Sequence, residues 1–187
     1  MLDFSGALLG KQTKRPRELP AKQTPKPSAK PQKKKASRLQ RFQGGVFRWL
    51  NEQLYTQESN HSLALFASNP DYFAQYHRGF QQQQAVWPVK PLEWVRAEVD
   101  SRDTGEELVL ADLGCGEGQL ACDLQSRPNI TVHSFDLFQA APHVTVADIA
   151  HLPLGAGTVD VAVFCLSLMG ANHVEFLREA RRVLKRK

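Results

Sequence analysis

Apolar and polar positions change rhythm along the chain. Phe47, Leu50 and Leu54 recur at helical spacing and predict a short amphipathic helix. A second helix is expected to open at Asn69-Pro70, with Asn as N-cap and Pro in the first turn. It carries Tyr72, Phe73 and Tyr76 and should end near Gly79, a residue suited to a helix C-terminus. Pro88 and Pro91 then interrupt the pattern, and Leu92 to Val99 reads as a third helix. From Leu108 onward the helical period gives way to short apolar runs that end in acids or glycine. Strands are predicted at 108–113, 130–136, 144–148 and 159–166, with a helix-length segment from Gln119 to Ser126 between the first two. A last helix is expected from Asn172, with Glu175 completing a capping box and Val174, Leu177 and Leu184 forming its buried face. Strands alternating with helices imply an α/β fold with a parallel sheet and right-handed crossovers.

Charge divides the chain of 187 residues differently from hydropathy. Residues 1–41 hold 12 of the 24 Lys and Arg against only Asp3 and Glu18, a net +10. Residues 42–187 hold the other 12 bases and 17 acids, a net −5, so the basic character belongs to the N-terminal segment. Pro16, Pro20, Pro25, Pro27 and Pro31 are spread through it with little apolar content. A segment of that kind buries too little surface to offset its ordering entropy and is expected to be disordered. Lys33-Lys34-Lys35, followed by Arg38 and Arg41, reads as a nuclear or nucleolar address or as an arm for RNA phosphates; a solubilising linker is the plainer alternative. The organisation expected is a basic tail over 1–41, a helical region over 42–104 and an α/β region over 105–187. Cys115, Cys122 and Cys165 form no C-x-x-C pair, which argues for reduced thiols in an intracellular protein and against a structural zinc or other metal site. No run of 18 apolar residues exists, so no membrane span is expected, and Met1 to Gly10 lacks the basic flank and cleavage pattern of a signal peptide.

The densest chemical signal is Asp112-Leu113-Gly114-Cys115-Gly116-Glu117-Gly118, which follows a strand and opens a helix. Glycines in such a turn let the backbone approach a ligand, and the helix start favours a polar group. The nicotinamide spacing would need glycine at 119, where Gln119 stands. Asp136 ends the second strand, where an acid can accept both hydroxyls of a ribose. Asp148 ends the third and could accept the exocyclic amine of adenine, with Ile149 packing the base. Asp112, Asp136 and Asp148 thus fall at the carboxyl ends of consecutive strands, where open α/β sheets bind ligands. Taken singly, each is as easily a solvated loop acid. By residue physics alone His77 is a partly buried helix-end histidine and Cys165 a small buried residue.

Several longer strings carry a more specific resemblance. They are Phe47-Arg48-Trp49-Leu50-Asn51-Glu52-Gln53-Leu54-Tyr55-Thr56, Tyr76-His77-Arg78-Gly79-Phe80-Gln81, Trp87-Pro88-Val89, and the run from Val159 through Phe164-Cys165-Leu166-Ser167-Leu168-Met169-Gly170. Over about residues 42–184 the chain resembles the ribosomal RNA-processing protein 8 family, also called nucleomethylin. The resemblance implies a Rossmann-like class I methyltransferase sheet, here strands one to four, with an N-terminal helical region. It further implies the cofactor S-adenosyl-L-methionine, ribosomal RNA as partner, N1 of an adenine in large-subunit rRNA as target, and a nucleolar location in the nucleus. Animal members also link it to a chromatin-silencing, histone-binding complex. Carried across by motif, the cofactor-binding positions would be His77, Gly114, Asp136, Asp148, Ile149 and Cys165, with His77 near the cofactor's amino-acid end. No catalytic base is named, because N1 of neutral adenine has a free lone pair; Ser167 and Asn172 are candidate contacts to the target base.

The resemblance also marks a departure. Relatives continue after Arg-Val-Leu-Lys with Pro-Gly-Gly and a further strand, whereas here Lys185 is followed by Arg186-Lys187. In the family order 3-2-1-4-5-7-6, strands five to seven are then expected to be missing and the fourth strand to lie at an uncovered edge. The alternative reading of the chain is a non-catalytic nucleolar module that binds RNA or chromatin. A small-molecule methyltransferase fits the basic tail less well.

Overall fold

The computed structural model describes residues 38–186, with side chains from Phe42 onward. The expectation of disorder over 1–41 concerns residues that lie almost wholly outside this range. Four helices come first: α1 (Arg38–Thr56), α2 (Ser59–Ser68), α3 (Pro70–Gln84) and α4 (Pro91–Arg102). The first therefore begins four residues ahead of the expected helical region. The α/β part follows as β1 (Leu108–Leu113), α5 (Gln119–Leu124), β2 (Ile130–Asp136), β3 (Val144–Val146), β4 (Val161–Val163) and α6 (His173–Val183).

All four strands are parallel, in the order β3-β2-β1-β4. Alternation along β1 sorts side chains to the two faces of the sheet. Val109, Ala111 and Leu113 join a core with Phe135, Val159 and the α6 residues Phe176, Ala180 and Val183. Leu108 and Leu110 point the other way, onto Val99 of α4 and Leu120 and Leu124 of α5. A third apolar cluster, Leu50, Leu54, Phe66, Phe73 and Tyr76, is built from α1, α2 and α3. It is joined by Leu137, Phe138 and Met169 from loops at the strand ends. Helices α1, α2 and α3 therefore pack over the carboxyl ends of the strands, while α4 covers one face of the sheet.

Four expectations change. Gly79 lies inside α3, which runs on to Gln84, because the glycine serves helix packing against Phe47 rather than helix termination. Helix α2 was not foreseen: its buried positions are Ser59, Ser62 and Phe66, so two of the three inward residues are polar and the apolar period is hidden. The fourth strand is shorter than expected at both ends: it spans Val161–Val163, Val159 pairs instead with Leu184, and Leu166 has a left-handed φ of 64°. Helix α6 buries Phe176, Ala180 and Val183, while Val174 and Leu177 are each 47% exposed. Leu184 is half-buried and packs against the same core, and it pairs with Val159 in a parallel bridge, so the chain returns alongside the β4 segment.

Candidate functional site

The glycine turn after β1 is folded onto β2. Gly114 and Cys115 both donate their backbone N–H to the Phe135 carbonyl, at 2.8 and 3.0 Å. Gly114 has φ +79°, and a Cβ there would lie 2.3 Å from Cβ of Ser167, so no side chain fits between the turn and the segment after β4. Ser167 donates its hydroxyl to the Leu113 carbonyl, which closes that contact. Gly116 donates its N–H to Oδ2 of Asp136 at 2.7 Å, and Leu137 donates to Oδ1 at 2.8 Å. On the helical side Gln81 reaches Glu117 at 3.0 Å. His77 packs against Phe73 in a tilted contact with ring centroids 4.1 Å apart, and its edge abuts Gly116.

Every position carried across for cofactor binding lines one open cavity: His77, Gly114, Asp136, Asp148, Ile149 and Cys165. Its opposite wall is apolar and aromatic, from Phe66, Phe73, Tyr76 and Met169. Asp112 does not line this cavity. It faces an adjoining recess with Cys115, Gly116 and Glu117, and His77, Phe80, Gly114 and Cys165 border both spaces. The three strand-end acids thus meet at two connected spaces rather than one.

Burial sets the charge states. Asp112 is 2% exposed, and its Oδ1 has no hydrogen-bond partner. Desolvation, reinforced by the Asp136 charge, raises its pKa to about 7. Asp136 is raised to about 6 by desolvation, against the lowering effect of its backbone N–H donors. Burial lowers His77 to about 4, so it is neutral at physiological pH. Burial likewise pushes up the thiols of Cys115 and Cys165 and the Tyr76 phenol. A buried carboxylate with an unmatched oxygen, a second held by backbone donors and an uncharged imidazole form a donor set suited to a ligand with hydroxyls and a positive centre. The residues therefore fit S-adenosyl-L-methionine on their chemistry.

Asp148 has an unforeseen partner. Its Oδ1 accepts the Ala150 N–H at 2.9 Å, and its Oδ2 accepts the Ser59 hydroxyl at 2.8 Å. Asn172, expected to cap α6, makes no side-chain bond to the α6 backbone. Its Oδ1 accepts the Ser59 N–H instead, while its Nδ2 donates to Glu175. Ser167 and Asn172, the candidate target-base contacts, thus both hold protein partners. Ser59 was missed because helix α2 was missed; the Ser59/Ser62/Phe66 spacing was the available signal. Among the described residues no group of His, Cys, Asp and Glu could hold a metal ion, and no helix is long and apolar enough to cross a membrane.

A parallel 3-2-1-4 sheet with a glycine turn after its first strand, and acids at the ends of the next two facing one cavity, defines a Rossmann-like fold of the class I methyltransferase type. Residues 31–187 match the sequence profile of a family described as "Hypothetical methyltransferase". The chain belongs to this family, that of ribosomal RNA-processing protein 8. It is 45% identical over 151 residues to the 25S rRNA (adenine(645)-N(1))-methyltransferase of Schizosaccharomyces pombe, covering 78% of this chain and 48% of that protein. It is 48% identical over 151 residues to ribosomal RNA-processing protein 8 of Rattus norvegicus, covering 81% of this chain and 32% of the relative. The 25S rRNA (adenine(645)-N(1))-methyltransferase of Saccharomyces cerevisiae is 35% identical over 206 residues, covering 93% and 53%. The chain therefore spans between a third and about half the length of these relatives. Among solved structures, a candidate S-adenosyl-L-methionine-dependent methyltransferase of Methanococcus maripaludis aligns with a TM-score of 0.43 at 17% identity, over 58% of each chain.

Proposed function

We propose that this chain binds S-adenosyl-L-methionine in the cavity between α3 and the strand ends and serves methylation of N1 of an adenine in large-subunit ribosomal RNA, in the nucleolus. The convergence of His77, Gly114, Asp136, Asp148, Ile149 and Cys165 on one cavity carries this reading. The rRNA adenine-N1 methyltransferase names of the yeast relatives support the substrate. Asp136 would take the ribose hydroxyls, Asp148 the adenine amine and Ile149 the face of the base. His77 and Cys165 would border the amino-acid end, with Asp112 next to them offering a carboxylate to a positive group. When bound, S-adenosyl-L-methionine supplies an electrophilic methyl group on a sulfonium centre. The chain's own residues need supply no proton acceptor, because the target N1 has a free lone pair. Their work is positioning, exclusion of water by the Phe73–Tyr76 wall, and tolerance of a cationic product by the nearby carboxylates.

Isothermal calorimetry of the chain with S-adenosyl-L-methionine tests the first half: saturable binding is expected, and no heat at millimolar ligand overturns it. Reverse-transcription stops on rRNA from cells lacking the gene test the second. One large-subunit adenine stop should disappear, and an unchanged pattern rules out this RNA as substrate.

A further inference from the structure

We infer that Ser59 is a positioning residue for Asp148, orienting the carboxylate so that it reads the exocyclic amine of adenine. The inference rests on the cofactor reading above and concerns the specificity of that same cavity. Ser59 opens α2 and is 5% exposed, so its hydroxyl must find its partners within the protein.

The direction of each bond follows from donor inventory. The Ser59 backbone N–H can only donate, so the Asn172 atom that it meets at 3.0 Å is the carbonyl Oδ1. The other end of that amide, Nδ2, then donates to Ser59 Oγ at 2.9 Å and to Glu175 Oε2 at 2.9 Å. Ser59 Oγ accepts from Asn172, and its single proton is directed to Oδ2 of Asp148 at 2.8 Å. With the Ala150 N–H on Oδ1, each oxygen of Asp148 is held by one donor, and rotation of the carboxylate would break both. Asp148 still lines the cavity, so its remaining lone pairs are available there. A carboxylate fixed in this way accepts from an amine and repels a carbonyl oxygen, which is the difference between adenine and hypoxanthine.

The side chain and backbone of Ser59 do separable jobs. Its N–H ties α2 to Asn172 whatever the side chain, whereas only the hydroxyl reaches Asp148. Ser59→Ala therefore removes the orienting bond, and with it the bond from Asn172 Nδ2, but keeps the backbone N–H bond that ties α2 to Asn172.

The test is calorimetric titration of the full chain with S-adenosylhomocysteine and with its inosine counterpart. The wild-type chain should prefer the adenosyl ligand, and Asp148→Asn should abolish the preference. Ser59→Ala should lose about tenfold in affinity for the adenosyl ligand with little change for the inosyl one, and Ser59→Thr should restore the preference. If circular dichroism shows the alanine variant unfolded, Ser59→Cys, similar in size with a weak donor, should show the same loss of preference. Equal weakening of both ligands by Ser59→Ala, or a wild-type preference in the alanine or cysteine variant, overturns the inference and leaves the cofactor reading standing. A wild-type chain that binds neither ligand overturns both.

Discussion

Gly79 of α3 and Phe47 of α1 touch so closely that a Cβ on the glycine would lie 2.4 Å from Cδ2 of the ring and 3.0 Å from its Cβ. Phe47 in turn stacks on Tyr76, with centroids 5.7 Å apart, and Tyr76 lines the cavity. Alanine in mid-helix would ordinarily gain about 1 kcal/mol over glycine. Forcing the ring aside costs roughly 1–3 kcal/mol, so overpacking should win. Gly79→Ala is expected to lower the urea midpoint of unfolding and to weaken S-adenosyl-L-methionine binding; a more stable variant would show that the helices separate freely.

Asp136 is the acid with most to lose. Besides facing the cavity, it anchors the glycine turn through Gly116. Asp136→Ala should weaken S-adenosyl-L-methionine binding by about 1–3 kcal/mol, measured by calorimetry.

The buried titrating groups pull stability in opposite directions. Asp112, at about 7, and Asp136, at about 6, are raised from 3.8, so both favour the folded state when protonated. Their contribution is greatest below about pH 4 and is lost as pH climbs through 6 to 7. His77, lowered from 6.5 to about 4, favours the folded state when neutral, so its contribution is lost as pH falls from 6.5 towards 4. Thermal melts of the ligand-free chain should therefore show Asp112→Asn gaining on the order of 1–3 kcal/mol at pH 8 relative to pH 4. His77→Gln should steepen the loss of stability with rising pH between 4 and 6.5. Parallel pH profiles for wild type and both variants would contradict these assignments.

Residues 11–37 contribute ten of the 24 Lys and Arg and only one acid. Deleting them should leave S-adenosyl-L-methionine affinity unchanged and weaken binding to ribosomal RNA fragments. The logarithmic salt slope should become shallower, because fewer counterions are released. Loss of cofactor binding on this deletion would place the segment within the folded unit.

The α/β half of the fold was legible because its strands are continuous apolar runs with fixed punctuation. Leu108–Leu113 and Ile130–Asp136 form as read, and the acids at their ends fall where the parallel order puts them. The register of α6 was not legible. Two apolar stripes run along it, and only packing against Phe135 and Val159 selects Phe176, Ala180 and Val183 over Val174 and Leu177. The pattern of α2 misled for a different reason: serines occupy inward positions because one of them meets a carboxylate.

By itself, then, the amino-acid sequence determined the parallel sheet, the glycine turn and the acids at the strand ends, since each depends on local period and turn chemistry. Tertiary structure alone decided that Asp112 occupies a recess beside the cavity. It also turned Asn172 from a local cap towards Ser59, 113 positions away. A buried polar group takes whichever partner the packed chain brings to it, and that choice has no signature in spacing along the sequence.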